Sequence, residues 1–154
     1  MPTNEKLQSG EFSWPIRVYY EDTDSGGVVY YANYLKFMER ARTELLRSVG
    51  YEQDQLQQEL GIIFAVHSAN IQYKKPARFN DELKVITSIA SLGKASIHFK
   101  QSIYLQASHD VDAVNELLSE AEIKIACLNV EKFTPRSFPT TIIEKINKEF
   151  HCGS

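Results

Sequence analysis

The segment YANYLKFMERARTELLRSVG (Tyr31–Gly50) has the strongest helical periodicity in the sequence. Its apolar residues recur at steps of three and four, which places them on one stripe of a helix. The stripe consists of Tyr31, Tyr34, Leu35, Met38, Ala41, Leu45 and Leu46. Charged side chains fill the other sectors, and Gly50 is a suitable C-terminal stop. We therefore expect one long amphipathic helix with a single apolar face.

Strand patterns flank this helix on both sides. We expect strands at Ser13–Tyr20, Ile62–Lys75, Glu82–Leu92, Lys94–Gln106 and around Ala121–Cys127, with further helices at Gln53–Leu60 and Thr140–Phe150. A polar connection near Ser108–Asp112 leads to the last strand. This order predicts an α+β domain in which a long central helix packs on a five-stranded antiparallel sheet. Because one helix cannot cover such a sheet, we expect at least a dimer.

The length and composition fit one globular domain. The 154 residues predict a single domain at 13–150, a mobile N-terminal segment at 1–12 and a tail at 151–154. A formal net charge of -3 argues against nucleic acid as the main partner. No apolar run is long enough to span a membrane, and the first residues lack an apolar signal segment. With two cysteines and no disulfide framework, the sequence predicts a cytoplasmic protein.

An acidic, glycine-containing loop, EDTDSGG (Glu21–Gly27), lies shortly before the long helix. A helix N-terminus presents unpaired N–H groups and the positive end of the helix dipole, which suit a developing oxyanion. A carboxylate beside that end can act as a nucleophile or as a general base toward water. Thioesters suit this small set of groups, because a thiol with a pKa near ~8.5 leaves without a strong general acid.

Other interpretations of the loop are available from spacing alone. Asp22, Thr23, Asp24 and Ser25 are also typical turn and helix-capping residues. An EF-hand calcium loop is excluded, because Asn33 stands where that motif needs a bidentate Glu and a strand precedes the loop. The four histidines show no ligand spacing, so we expect no metal site.

Basic residues are candidates for binding the phosphates of a coenzyme. The set comprises Lys74, Lys75, Arg78, Lys94, Lys132 and Arg136, of which we select Arg78 and Lys94. For any single one of them, a solvated surface charge is the commoner role. Glu39 and Arg42 are three residues apart on the helix, which predicts an intrahelical ion pair.

The loop and helix together carry a long and specific motif. Residues Trp14–Tyr30 and Ala32–Glu44 closely resemble the Tol-Pal-system-associated acyl-CoA thioesterases, in the 4-hydroxybenzoyl-CoA thioesterase branch of the hotdog-fold superfamily. The motif is Asp-Thr-Asp-x-x-Gly-Val-Val-Tyr, followed by Asn-Tyr and Glu-x-Ala-Arg at fixed distances. The resemblance runs from about Phe12 to Pro139. It implies a hotdog fold, edge-to-edge dimers or dimers of dimers, and active sites between subunits.

The resemblance also implies roles for individual residues. It places the catalytic carboxylate on Asp24 and the oxyanion-binding amide on Tyr31. Asp22 then forms the loop, while Asn33, Glu39 and Arg42 support the site or the subunit contact. The Tol-Pal-associated members usually carry His where this chain has Tyr31, so an acid or base role of that His is not carried over.

We therefore predict an acyl-CoA thioesterase that forms a homodimer or homotetramer. Asp24 attacks the thioester or activates water, and the Tyr31 amide stabilises the oxyanion. Substrate contacts are predicted at Gly26, Gly27, Asn33, Arg78 and Lys94. Coenzyme A enters as part of the substrate, so no separate cofactor is expected, and an acyl carrier protein is the other candidate carrier.

The alternative is a non-catalytic module that binds acyl-CoA or acyl carrier protein and is linked to envelope maintenance. A hydratase or dehydratase is the weakest hypothesis, because these enzymes ordinarily need a catalytic His and no His lies in the Asp24 motif.

Overall fold

The computed structural model describes residues 10–106 and 115–150. Their strands are β1 (Glu11–Arg17), β2 (Ile62–Tyr73), β3 (Glu82–Leu92), β4 (Ser96–Leu105) and β5 (Glu116–Asn129). Their helices are α1 (Tyr31–Ser48), α2 (Gln53–Leu60) and α3 (Thr140–Phe150), with a short 3-10 turn at Tyr20–Asp22. The predicted connection near Ser108–Asp112 and the predicted tail at 151–154 lie outside the described residues.

The five strands form one antiparallel sheet in the order β1-β3-β4-β5-β2. β1 and β2 are therefore the edge strands, and α1 packs on the side of the sheet formed by β1 and β3. This confirms the predicted α+β fold with a long helix on a five-stranded antiparallel sheet. β1 begins at Glu11, so residues 11 and 12 belong to the sheet rather than to the predicted N-terminal segment.

The buried face of α1 differs from the predicted stripe at its edge. Phe37, Met38 and Ala41 are completely buried, whereas Tyr31 is 72% and Leu35 is 37% exposed. The predicted stripe is shifted to one side of the helix, because it omits Phe37, which is completely buried, and includes Tyr31 and Leu35. Tyr31 and Leu35 remain on the flank of the helix, where no described strand covers them fully.

A buried polar network joins α1 to the middle of the sheet. The Arg42 guanidinium donates to Gln101 Oε1 at 2.9 Å, and Gln101 Nε2 donates to the Met38 carbonyl at 2.9 Å and to Thr87 Oγ1 at 3.0 Å. The predicted Glu39–Arg42 ion pair is wrong, because Arg42 turns into the sheet instead. Burial lowers the pKa of Arg42 to about 10, and the nearby Glu39 charge opposes this shift.

Candidate active site

The acidic loop closes on itself around Asp24. The Asp24 amide donates to the Val28 carbonyl at 2.9 Å, and the Gly27 amide donates to the Asp24 carbonyl at 3.0 Å. Gly27 has a φ of +83°, a left-handed conformation that glycine adopts without a steric cost. Gly26 lies so close to Asp24 Oδ1 that an added Cβ would come within 3.3 Å of it. Both glycines therefore shape the loop itself.

The two oxygens of the Asp24 carboxylate have different surroundings. Oδ1 accepts a hydrogen bond from the Gly26 amide at 2.8 Å and a longer one from the Val28 amide at 3.4 Å. Oδ2 has no hydrogen-bond partner among residues 10–106 and 115–150. Asp24 thus has one oxygen that fixes the side chain and one that is available to a substrate or a water molecule.

A second aspartate attaches the loop to the helix. Asp22 is 5% exposed, and its Oδ1 accepts a hydrogen bond from Asn33 Nδ2 at 2.9 Å. Its Oδ2 accepts one from the Tyr19 amide at 2.8 Å, and its carbonyl accepts one from the Tyr30 amide at 3.2 Å. Asp22 and Asn33 therefore fix the loop that carries Asp24 to the beginning of α1. A substrate contact by Asn33 stays a prediction, since its side-chain amide is buried and directed to Asp22.

The N-terminus of α1 has no side-chain cap. The residue that precedes the helix is Tyr30, and its side chain makes no capping hydrogen bond. None of Asp22, Thr23, Asp24 and Ser25 caps α1, so the capping interpretation of the loop does not hold for this helix. The Tyr31 amide has no acceptor within the described part of the chain. The helix therefore begins with a free N–H group, as an oxyanion site requires.

Asp24 and Tyr31 line the same cleft, which has a volume of about 340 Å³. The other lining residues are Val28, Val29, Tyr30, Tyr34, Tyr73, Lys74, Lys75 and Pro76. The cleft thus brings a carboxylate and a helix N-terminus from the first part of the chain to the C-terminal end of β2. The arrangement can hold a carbonyl compound between an oxygen nucleophile and an amide donor.

Three tyrosines form one wall of the cleft. Tyr73 lies between the other two, with ring centroids 4.7 Å from Tyr31 and 5.3 Å from Tyr34. Tyr34 Oη accepts a hydrogen bond from the Ala77 amide at 2.9 Å, and Tyr73 Oη donates one to the Tyr31 carbonyl at 3.2 Å. Burial raises the pKa of both Tyr34 and Tyr73, so both hydroxyls stay protonated at neutral pH.

The basic residues divide into those near the cleft and those far from it. Lys74 and Lys75 line the cleft, where they pair with Glu120 at 3.7 Å and with Glu116. Arg78 lies beside the loop, because its backbone forms a β-bridge with Val28. Its side chain is exposed.

Lys94 is not brought to the cleft within one chain. It lies in the β3–β4 hairpin, whereas the loop and the start of α1 lie at the opposite end of these strands. From Leu83 to Leu92, β3 spans about 30 Å at ~3.3 Å per residue. A substrate contact by Lys94 therefore needs a second subunit, and it stays a prediction.

Some types of site are absent from the described residues. Across 10–106 and 115–150, no three His, Cys, Asp or Glu side chains come together in a way that could hold a metal ion. Within the same ranges, no helix combines the length and the apolar character needed to cross a membrane.

Comparison with known proteins then places the chain in a family. Residues 26–111, more than half of the sequence, match the family model described as the thioesterase superfamily. The chain belongs to the thioesterase superfamily. Among the relatives of this thioesterase, the acyl-CoA thioester hydrolase YbgC of Escherichia coli is 43% identical over 89% of this chain and 96% of its own. The acyl-CoA thioesterase YbgC of Haemophilus influenzae is 40% identical over 91% and 94%.

Solved structures give the same result for the fold. A probable thioesterase from Bartonella henselae is 32% identical with a TM-score of 0.74, over 84% of this chain and 99% of its own. The 4-hydroxybenzoyl-CoA thioesterase from Pseudomonas sp. strain CBS-3 is 20% identical with a TM-score of 0.78, over 89% and 99%. At that identity the second likeness concerns the fold alone, which is the hotdog fold. The predicted fold and the predicted thioester-hydrolase class are both confirmed.

Sequence reasoning did not select several residues of the cleft. The sequence pattern assigns Tyr73 only to a strand, and our prediction of phosphate contacts names Arg78 and Lys94 rather than Lys74 and Lys75. The signal that was present is the sequence Tyr73-Lys-Lys-Pro76, in which a strand ends on two cations and a proline. Its proximity to Asp24 depends on the pairing of the strands, which one sequence does not show.

Proposed function

We propose that this chain hydrolyses acyl-CoA thioesters to a free acid and coenzyme A. The names of its YbgC relatives support the substrate class, since both describe action on acyl-CoA. The observation that carries the proposal is the shared cleft of Asp24 and Tyr31, which offers a carboxylate oxygen and a free helix amide to one ligand.

In the first form of the mechanism, Asp24 acts as a general base. Its Oδ2 accepts a proton from a water molecule, whose oxygen attacks the thioester carbonyl carbon. Negative charge develops on the carbonyl oxygen, which accepts a hydrogen bond from the Tyr31 amide. The C–S bond then breaks, and the thiolate of coenzyme A leaves as a weakly basic group.

In the second form, Asp24 acts as the nucleophile. Oδ2 attacks the carbonyl carbon, the thiolate leaves and an acyl-aspartyl anhydride remains, which water then hydrolyses. Single-turnover hydrolysis in oxygen-labelled water identifies the anhydride when the label appears in the Asp24 carboxylate. Label enters the Asp24 carboxylate only if water attacks the aspartyl carbon of the anhydride, and an original Asp24 oxygen then leaves in the product acid. Attack at the acyl carbon puts the label in the product acid, as the general-base form also does.

The phosphates of coenzyme A require cations near the opening of the cleft. Lys74 and Lys75 line the cleft, and Arg78 lies beside the loop that carries Asp24. Both lysines are paired with exposed glutamates, which a phosphate group can replace because exposed ion pairs contribute little. We propose these three cations as the phosphate contacts of one subunit, with Lys94 contributed by another.

Further parts of the proposal rest on the sequence resemblance. We propose that the enzyme is a cytoplasmic homodimer or homotetramer, that acyl carrier protein thioesters are the competing substrate, and that its cellular role is linked to the Tol-Pal system. Hydrolysis assays with aliphatic and aromatic acyl-CoA and acyl carrier protein thioesters test the carrier and the acyl group together.

The decisive variant for the mechanism is Asp24→Asn. The carboxamide keeps an oxygen for the Gly26 and Val28 amides, but it replaces the free carboxylate oxygen with an NH₂ group. We expect kcat for acyl-CoA hydrolysis to fall by about a hundredfold or more, as for loss of a general base. The matched control is Asp54→Asn on α2, which we expect to leave kcat unchanged.

Two results would contradict this proposal. Normal turnover by Asp24→Asn would remove Asp24 from the chemistry. Saturable binding of acyl-CoA by the native chain without turnover would instead support the non-catalytic binding module.

A further inference from the structure

We infer that Tyr73 is a positioning residue that holds the first turn of α1 in the geometry needed for oxyanion binding. The inference rests on the proposed function, in which the Tyr31 amide receives the oxyanion. Tyr73 lies at the end of β2, 42 residues away from Tyr31 in the sequence, and it connects the edge of the sheet to the beginning of the helix.

The first residue of α1 has few other restraints. Tyr31 is 72% exposed, its amide has no protein acceptor, and no side chain caps the helix. Helix ends without caps fray, because their terminal groups lack the bonds that fix the backbone. The absence of a protein acceptor makes the Tyr31 amide suitable for binding an anion, but it also leaves the first turn of α1 with fewer restraints.

Tyr73 supplies the missing restraint from the opposite side of the residue. Its hydroxyl donates to the Tyr31 carbonyl at 3.2 Å, and its ring packs on the Tyr31 ring at 4.7 Å between centroids. Within residues 10–106 and 115–150, no other side chain hydrogen-bonds to Tyr31. The hydrogen bond and the ring contact act on one residue, so together they restrict its rotation.

The segment that follows Tyr73 is itself fixed to the site. The Ala77 amide donates to Tyr34 Oη at 2.9 Å, and the Val29 amide donates to the Ala77 carbonyl at 2.9 Å. Tyr34 is 1% exposed and its ring also packs on Tyr73. The segment that follows Tyr73 is therefore hydrogen-bonded to Val29, just before α1, and to Tyr34 in the first turn of α1.

This role predicts a specific kinetic signature for Tyr73→Phe. The substitution keeps the aromatic ring and removes only the hydroxyl group. We expect the single-turnover rate constant for acyl-CoA hydrolysis to fall about three- to tenfold, the range for loss of one neutral hydrogen bond. Affinity for a non-hydrolysable thioether analogue of the substrate should stay within twofold, because the ground state makes little use of the oxyanion donor.

The matched control is Tyr104→Phe. Tyr104 is also a strand tyrosine, on β4, and its hydroxyl makes no hydrogen bond within the described ranges. We expect its rate constant and its analogue affinity to equal those of the native chain. Equal rates for Tyr73→Phe and the native enzyme would overturn the inference while leaving the proposed function intact. A native chain without hydrolysis would overturn the proposed function.

Hydrogen exchange gives a readout that does not depend on activity. In Tyr73→Phe, we expect faster amide exchange in the first two turns of α1, while α2 and α3 exchange at the native rate. A merely structural role in β2 would accelerate exchange in β2 and β5 instead. Native exchange rates throughout α1 would contradict a positioning role for Tyr73.

Discussion

Asp22 and Asp24 are two residues apart and have different surroundings. Asp22 is buried, and both of its oxygens accept hydrogen bonds from protein donors. Asp24 is half-buried in the cleft and leaves one oxygen without a protein partner. A carboxylate whose two oxygens both accept protein hydrogen bonds is held in place and leaves neither oxygen without a protein partner. The number of protein donors therefore distinguishes Asp22, which is held by the loop, from Asp24, which we propose as the reactive residue.

The buried thiol of Cys127 gives a pH-dependent stability prediction. Burial raises its pKa from 9.0 to about 11, although the Arg136 charge acts in the other direction. Between these two pH values the unfolded chain has released the thiol proton and the folded chain has kept it, so stability falls as the pH rises. We expect this group to lower the free energy of unfolding by about 2 kcal/mol across that interval.

Urea unfolding of native and Cys127→Ala protein at pH 8, 9, 10 and 11 measures this contribution. The variant is less stable at every pH because it loses a buried side chain, but the difference between the two proteins should shrink as the pH rises. A difference that is constant over the whole range would contradict the raised pKa of Cys127.

The loop that carries Asp24 is attached to α1 through Asp22 and Asn33. Asn33→Ala removes the donor to the buried Asp22 carboxylate, which among the described residues then retains only the Tyr19 amide as a donor. We expect a loss of about 1–3 kcal/mol of stability and a several-fold lower kcat, because the loop that carries Asp24 is released. Thermal unfolding and acyl-CoA hydrolysis measure the two effects.

Asn70→Ala is the matched control for this prediction. Asn70 is an exposed residue of β2 with no side-chain hydrogen bond within the described residues. Its melting temperature and kcat should equal the native values. If Asn33→Ala also behaved like the native chain, the link between loop and helix would have no functional weight.

Local patterns were enough to predict most elements and to propose the centre of the candidate site. α2 and α3 begin and end at the predicted residues, because glycine and proline flank them and their apolar periods are clear. Asp24, Gly26, Gly27 and Tyr31 could be proposed together because they lie within eight positions of one another. Periodicity also located α1, but it did not show which flank of the stripe the sheet would cover.

The remaining features depend on contacts between distant parts of the chain. Tyr73 and Lys74 reach the cleft only because β2 is an edge strand whose end lies beside the N-terminus of α1. Arg42 likewise hydrogen-bonds to Gln101 on β4 rather than pairing with the nearby Glu39, because its side chain is buried between α1 and the sheet. Such choices follow from strand pairing and burial, which have no local signature in a single sequence.

β2 is an edge strand with a long run of exposed residues. β2 pairs with β5 along one side and has no partner strand on the other within the described chain. Val66 on this strand is 56% exposed, and Tyr31 and Leu35 of α1 are exposed as well. A long free edge with apolar side chains favours association. The predicted homodimer or homotetramer stays a prediction that size-exclusion chromatography with light scattering tests.

The remote β3–β4 hairpin has a consequence for mixed assemblies. Lys94 lies far from its own Asp24, so it could serve only the cleft of a neighbouring polypeptide. In a mixed dimer of one Asp24→Asn chain and one Lys94→Ala chain, the cleft of the second chain would then combine its own Asp24 with Lys94 of the first. We expect that one cleft to have the native KM. If instead no such complementation occurred between the two parents, each catalytic unit would be self-sufficient in its cations, and the hairpin would have no share in catalysis.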